Sequence, residues 1–389
     1  MIVFEIILLI AILLILHSYV LFPLILKFLA KNKKQNDIVY DVNDELPDVC
    51  ILLAVYNEEL VIDEKIISTF KTNYPVNKIK LIIGSDASTD RTNEIIKSYQ
   101  QDYNIELVEF EGRTGKIGII NKLSEIAHAN ILILTDANVF FNEDTIYQLV
   151  KHYKNESIAQ VGGNIINVQY KKDGISFQEK SYLSRENLIK YQEGILWGCM
   201  IGTFGGCYSI RATAFEKVPS NFLVDDFYIS MNILESGKKS INELNALCIE
   251  DVSNKIEEEF RRKLRISAGN FQNLARFKHL LWPPFNAIAF CFMSHKVIRW
   301  IGPVLLLIIL LSTSILALDS NYYRALLLIE VLVYSTPITD KILKSVSIHI
   351  KYLRFANYFI MMNLALLKGM VWYIQGIKTS VWQPTQRNQ

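Results

Sequence analysis

Long apolar runs occupy the two ends of the chain, and between them short apolar runs alternate with mixed, helix-like stretches. Residues 2–26 are apolar apart from Glu5, His17 and Ser18. Such a run is long enough to cross about 30 Å of hydrocarbon. It lacks the basic start and small-residue cleavage site of a signal peptide, so it predicts a retained membrane helix. Lys27, Lys31, Lys33 and Lys34 follow it and place this end, and the domain after it, in the cytoplasm. Further spans are predicted at 301–318, preceded by Lys296 and Arg299, at 323–338, which contains Glu330, and at 355–377, which contains Asn357, Asn363, Lys368 and Gln375. A charge in mid-span is costly and faces protein or a polar cavity, so the last stretch either lines a path or does not fully cross. Four full crossings would leave both termini outside. Residues 256–281 set Arg261, Arg262, Lys263, Arg265, Arg276 and Lys278 among Phe260, Leu264, Phe271 and Leu274, the pattern of an amphipathic helix on a cytoplasmic membrane surface.

Between these zones, β-rich runs at 48–56, 79–85, 105–110 and 131–135 are followed by helical stretches from Glu58, Thr89, Gly115 and Asn142. This alternation predicts an α/β domain with a mostly parallel sheet and helices on both faces. The chain is thereby partitioned into an N-terminal transmembrane helix (1–29), a linker (30–47), a cytoplasmic domain (48–255), an interfacial amphipathic region (256–297), a C-terminal transmembrane region (298–377) and a tail (378–389). Composition agrees. Of 389 residues 51% are hydrophobic and 21% charged, which excludes intrinsic disorder. Lys and Arg number 41 against 39 Asp and Glu, a net charge of +2, so no strongly basic face is available for nucleic acid. The five cysteines, Cys50, Cys199, Cys207, Cys248 and Cys291, form no C-x-x-C pair and have no His at zinc-ligand spacing; they predict buried, reduced thiols.

In a parallel sheet the ligand sits beyond the carboxyl ends of the strands. Those ends read Tyr56-Asn57-Glu58-Glu59, Ser85-Asp86-Ala87-Ser88-Thr89-Asp90, Arg113-Thr114-Gly115-Lys116 and Thr135-Asp136-Ala137-Asn138. Carboxylates, amides, a Lys and an Arg on one edge suit a hydroxyl-rich, phosphorylated ligand with a divalent cation. No G-x-G-x-x-G or Walker-type loop follows the first strand, which disfavours dinucleotide oxidoreductases and P-loop NTPases. Asp136 and Asn138, two residues apart, can share one hard cation, Mg2+ or Mn2+, or form an ordinary turn. Asp86 can accept from the edge of a base or cap a helix. Lys116, near a helix start, can neutralise phosphate or be a solvated surface side chain. Asp225-Asp226 can hold one raised pKa, useful to a general base, or serve as an N-cap. Arg262 and Arg265, three apart, share one helix face and can grip a diphosphate or a lipid headgroup.

Read in order, Tyr-Asn-Glu-Glu, Asp-x-Ser-Thr-Asp, Arg-x-Gly-Lys, Asp-x-Asn, Asp-Asp and Arg-x-x-Arg-Ile resemble the processive family 2 glycosyltransferases of GT-A fold, the membrane synthases of cellulose, chitin, hyaluronan and poly-N-acetylglucosamine. The resemblance covers roughly residues 48–270 and implies that Tyr56, Glu58 and Asp86 hold the nucleoside, with Lys116 near the nucleotide. It implies further that Asp136 and Asn138 match the Asp-x-Asp metal and diphosphate motif and that Asp226 is the catalytic base. The stretch 203–211, with Gly205 and Gly206, looks like the acceptor-side loop. Arg262, Arg265 and Ile266 match Gln-x-x-Arg-Trp, and Trp382 opens a segment similar to the gating Trp-Gly-Thr-x-x-Arg. Two departures stand out: Ile266 replaces a Trp that stacks on the acceptor sugar, and Arg262 replaces Gln.

The activity implied is inverting transfer of a sugar from a nucleotide sugar, UDP-linked by the likeness, to a growing polysaccharide at the cytoplasmic membrane face, with Mg2+ or Mn2+. Ile266, with no aromatic face to offer, also fits transfer of one sugar to a lipid acceptor, as in ceramide glucosyltransferase, whose domain is similar. A transport or scaffold subunit around an inactive domain is the third reading. The expected partners are the nucleotide sugar, the polysaccharide or lipid acceptor and the bilayer; few spans for a channel point to a dimer or accessory subunit, and no nucleic acid is expected.

Overall fold

The structure, a computed structural model, describes residues 1–41, 43–167, 176–250, 256–346 and 350–377. The tail predicted at 378–389, Trp382 included, lies outside the described residues. Two compact units are formed: Leu29–Gln169 with Lys180–Val252, and Met1–Phe28 with Tyr170–Glu179 and Ser253–Ile377.

The first unit is built on one sheet of eight strands among the described residues, in the order β3-β2-β1-β4-β7-β6-β8-β5. These are β1 (Val49–Val55), β2 (Ile79–Ser85), β3 (Ile105–Glu109), β4 (Ile131–Thr135), β5 (Val139–Phe141), β6 (Ile158–Asn167), β7 (Cys207–Arg211) and β8 (Lys239–Glu250). β3, β2, β1 and β4 pair in parallel, β7 runs antiparallel to β4 and β6, β8 is parallel to β6, and β5 is antiparallel to β8. The sheet is therefore mixed and mostly parallel, and its first four strands fall where the apolar runs predict them. β1, β2 and β4 are buried almost without interruption, the mark of strands covered on both faces. Ile51, Leu53 and Val55 join Ile62, Ile66, Ile83 and Ile133 in the main core. Each such burial stabilises by about 1.5–3 kcal/mol. The five cysteines are all free and buried.

The helices at Ile62–Phe70, Thr92–Tyr99 and Thr145–Val150 begin later than the pattern predicts, whereas Gly115–Ile126 begins as predicted. The intervening polar residues are spent on loop bonds. Asp90 accepts from the Thr92 N–H at 3.0 Å and the Glu59 N–H at 3.1 Å, and the Asn142 N–H donates to Thr145 Oγ1 at 2.8 Å. The loops beyond the strands are longer as a result.

In the second unit, Ile2–Leu29 is a helix long and apolar enough to cross a membrane. A second span is made if Ala287–Trp300 and Gly302–Leu316, bent by 61° at their junction, count as one. The predicted span at 323–338 is broken at Ser335 into the helices Asn321–Tyr334 and Thr336–Ser345. Pro337 sits in the first turn of the latter, where a missing N–H costs no helical bond. The stretch 355–377 lies largely within the helix Lys351–Gln375, where Asn357 and Asn363 are buried and Lys368 and Gln375 are exposed. Asn357 Nδ2 donates to Asp340 Oδ2 at 2.7 Å, and the Lys368 ammonium lies 5.4 Å from the Phe260 ring centre. The amphipathic helix Ile256–Phe277 packs along the same helix. A Cβ on Gly369 would come within 2.6 Å of the Leu264 carbonyl oxygen, so only glycine permits this approach.

Candidate active site

The site residues of the first unit gather at the carboxyl ends of the parallel strands. β1 and β2 each run out through a non-glycine residue in the left-handed region, Asn57 (φ 52°) and Ala87 (φ 57°). Such a backbone costs on the order of 1–3 kcal/mol per residue and persists only where neighbours hold it. Here the two loops hold each other: the Thr89 N–H donates to Asn57 Oδ1 at 2.8 Å and the Asn57 N–H to Ser88 Oγ at 3.2 Å. Glu58 is buried in this join, with its N–H on Thr92 Oγ1 at 2.8 Å.

Asp86, fully buried, is the hub of the rim. Its carboxylate accepts from Arg113 Nε at 3.0 Å and from the Gly115 N–H at 3.1 Å, together with the Thr114 N–H. The aspartate therefore caps a helix, as one sequence alternative allows. The helix is not the next one but Gly115–Ile126, which follows β3, and Asp90 caps the nearer helix instead. A carboxylate on helix N–H groups is favoured by the helix dipole as well as by the bonds. Arg113 in turn lies over Tyr56, its guanidinium carbon 3.4 Å from the ring centre. Tyr56, Arg113 and Asp86 thus form one stack.

Lys116 extends from the first turn of the same helix, and its Nζ donates to Asp136 Oδ1 at 2.7 Å. Its side chain is 26% exposed, which sets aside the solvated-surface alternative. Burial works to lower the pKa of this ammonium, but Asp136, Asp225 and Asp226 together outweigh burial and raise it. Three carboxylates from two segments, the β4–β5 turn and the start of the helix Asp225–Glu235, therefore act on one cation. Asp226 is pushed up to about 6, by burial first and then by Asp225, with Lys116 opposing. Its Oδ1 accepts from the Phe227 N–H at 2.8 Å.

The loop before β7 completes the arrangement. Because β7 is antiparallel to β4, with Cys207 opposite Thr135, its entry turn lies beside the exit of β4. Gly206 O accepts from the Asp136 N–H at 3.1 Å and from Thr135 Oγ1 at 3.0 Å. Gly205 rests on the Asp226 carboxylate: a Cβ there would stand 2.9 Å from Oδ2. Gly205→Ala is accordingly expected to displace the Asp226 carboxylate and lower turnover by roughly tenfold or more. The thermal midpoint should fall little, and steady-state kinetics beside a melting curve check both parts.

Asp136 and Asn138 bracket a turn closed by the Val139 N–H on Asp136 O at 3.2 Å, and Asn138 Nδ2 donates to Glu250 Oε1 at 3.3 Å. Among the described residues no group of three His, Cys, Asp or Glu side chains is placed to enclose a metal by itself. Asp225 Oδ2, however, is buried with no hydrogen-bond partner, and Asp225 acts on Lys116 together with an Asp136 carboxylate that is 37% exposed. A hard cation held by one or two carboxylates and by substrate phosphates needs no fuller protein cage, so this donor set fits one.

Residues to which the sequence assigned no individual role also belong here. Lys190, only 2% exposed, lies 3.5 Å from the Phe204 ring centre and lowers the pKa of Asp226. Tyr208 carries a buried hydroxyl with no partner, and after burial itself the same three aspartates raise its pKa. Lys65 lies fully buried beneath the β4–β5 turn. Its signal in the sequence is a lysine on the apolar face Ile62, Ile66, Phe70. Arg262, Arg265 and Ile266 belong to the second unit, on the helix Ile256–Phe277, where Arg262 lies 3.6 Å from Glu259.

Residues 50–218 match the family model described as Glycosyl transferase family 2. The chain is similar to the poly-beta-1,6-N-acetyl-D-glucosamine synthase of Staphylococcus epidermidis, 23% identical over 310 residues that cover 76% of this chain and 73% of that protein. The enzyme of the same name from Staphylococcus aureus is 23% identical over 275 residues, 68% of this chain and 66% of its own. Among solved structures, the mannosyltransferase PcManGT from Pyrobaculum calidifontis, in complex with GDP-Man and Mn2+, aligns over 95% of this chain and 99% of its own, with a TM-score of 0.69 and 21% identity. At that identity the likeness is one of fold, and the fold is GT-A. Strand order and the acidic rim agree with that match over residues 50–218, and the chain is a glycosyltransferase.

Proposed function

We propose that the chain transfers a sugar, with inversion, from a UDP-linked sugar to a growing polysaccharide at the cytoplasmic face of a membrane. The observation that carries the reading is the cluster in which Lys116 is acted on by Asp136, Asp225 and Asp226, with Gly205 against the last. Asp226 removes the proton from an acceptor hydroxyl. That oxygen bonds to the anomeric carbon as the bond from this carbon to the diphosphate breaks, and the nucleoside diphosphate leaves with the electron pair. Lys116 neutralises the charge that develops on it, where electrostatic stabilisation acts most strongly. Mg2+ or Mn2+, held by Asp136 with Asn138 and reached by Asp225, would supply further neutralisation of the diphosphate. The nucleoside lies by Tyr56 and Glu58, in the stack that Asp86 anchors through Arg113. The resemblance adds Arg262 and Arg265 as further charge for the leaving group, on sequence grounds. The apolar helix Ile2–Leu29, with Ile2, Val3, Ile6, Leu9 and Ile10 exposed, supports a membrane location. N-acetylglucosamine is the first sugar to try, since the relatives above carry it in their names.

Acid pH should silence the base. With Asp226 at about 6, its carboxyl is protonated below that value and cannot accept the acceptor proton. kcat/KM is expected to fall about tenfold per pH unit below roughly 6. Asp225→Asn removes a neighbouring negative charge and should move this limb to lower pH; a limb left in place contradicts the assignment.

Ile266, where the family places an aromatic, favours a second reading, transfer of one sugar to a lipid. Detergent-solubilised chain incubated with UDP- and GDP-linked sugars and Mg2+ or Mn2+ separates the two. Polymer is the expected product, a single-sugar glycolipid would support the second reading, and no nucleotide release with any donor would remove both.

A further inference from the structure

We propose that Lys65 is a positioning residue for the transfer: its buried ammonium locks both flanks of the Asp136–Asn138 turn and, through Thr135, the Gly205–Gly206 turn against which Asp226 rests. The proposal rests on the reading of the site given above. On the helix Ile62–Phe70 the buried face is Ile62, Lys65, Ile66, Thr69 and Phe70, so a lysine occupies a place that the pattern gives to an apolar side chain. It is fully buried. Taking an ammonium out of water is expensive unless its donors are matched. The donors are matched, and by groups that flank the site. Nζ donates to Thr135 Oγ1 at 2.9 Å and to Val139 O at 2.5 Å, and lies 3.7 Å from the Phe141 ring centre. Thr135 immediately precedes Asp136, and Val139 immediately follows Asn138.

Thr135 carries the link further. Its hydroxyl accepts from Lys65 and donates to Gly206 O at 3.0 Å, the same oxygen that receives the Asp136 N–H at 3.1 Å. One residue away, Gly205 presses on the Asp226 carboxylate. A single side chain beneath the sheet rim thus ties the diphosphate-facing turn to the support of the base. A core filler would need neither a charge nor these partners, and methionine would occupy similar space.

Lys65→Met in the full-length, detergent-solubilised chain tests this, beside Thr135→Val, which removes only the hydroxyl relay. Hydrogen exchange is expected to rise about tenfold or more in peptides spanning 135–141 and 204–207, and to stay unchanged in β1 and β2. The rise should be smaller in Thr135→Val. Turnover per titrated nucleotide-binding site should fall about tenfold or more while the donor KM stays within about threefold, because catalysis is sensitive to displacements of about 1 Å. A merely structural lysine would lower the folded fraction but not turnover per competent site. Unchanged exchange in both segments, or turnover per site within about twofold of the parent, overturns the proposal. Should Lys65→Met fail to fold, Thr135→Val carries both measurements. A parent chain that transfers no sugar removes the activity reading, and the exchange measurement still decides whether the lock exists.

Discussion

Asp226→Asn should lower turnover by about a thousandfold, in the middle of the range that a positioned general base contributes. That corresponds to about 4 kcal/mol of barrier. The reasoning starts from placement. Asp226 opens the helix Asp225–Glu235, bonds the Phe227 N–H, and faces Gly205 across a gap that a methyl group would close. Asparagine keeps the shape and can keep the bond to Phe227, but it cannot take a proton from an acceptor hydroxyl. Nucleotide binding should therefore survive. Transfer assays on membrane preparations, with nucleotide binding measured on the same material, check the two halves together. Undiminished turnover would remove Asp226 from the base role, and lost nucleotide binding would point to a structural collapse.

The second large effect is expected at Lys116. Lys116→Met should lower kcat/KM by about a hundredfold to a thousandfold, the loss seen when one preorganised charge partner of a transition state is removed. The variant removes the cation on which Asp136, Asp225 and Asp226 act, leaving three carboxylates in mutual repulsion. Protons or cations must then take its place, so the acid limb of the pH profile should move to higher pH. Asp136→Asn should weaken activity through the same site. Because Lys116 and Asp136 are in contact at 2.7 Å, the double variant should lose less than the sum of the two single losses. Full additivity in kinetics would show that the pair does not act as one device.

The legible part of this molecule is the part in which burial repeats simply. β1, β2 and β4 are covered on both faces, so they read as unbroken apolar runs and the parallel half of the sheet follows. β5 and β8 escaped for opposite reasons. β5, Val139–Phe141, is too short to show a period. β8 buries Ser240, Asn242 and Glu243 among its apolar residues, which hides it from a hydropathy reading. At the site, residue types at strand ends were readable as candidates, but pairing was not. Asp86 alone left base recognition and capping both open, because its partners Arg113, Thr114 and Gly115 lie beyond a further helix and strand. Lys65 shows the limit more sharply: sequence marks it as a charge on an apolar face, and only the fold brings Thr135 and Val139 to it. The apolar C-terminal zone was readable as helical and less so in segmentation, since the run at 323–338 is interrupted at Ser335 by backbone geometry that hydropathy does not record.

The most direct test of the central claim is a structure of the full chain with a nucleotide sugar and Mn2+ bound. The diphosphate is expected between Lys116 and Asp136, the nucleoside beside Tyr56, and the anomeric carbon on the side facing Asp226, with room for an acceptor oxygen within about 3–3.5 Å of it. A nucleotide sugar seated elsewhere, with Lys116 still closed on Asp136 and Asp226 turned away from the sugar, would contradict the account.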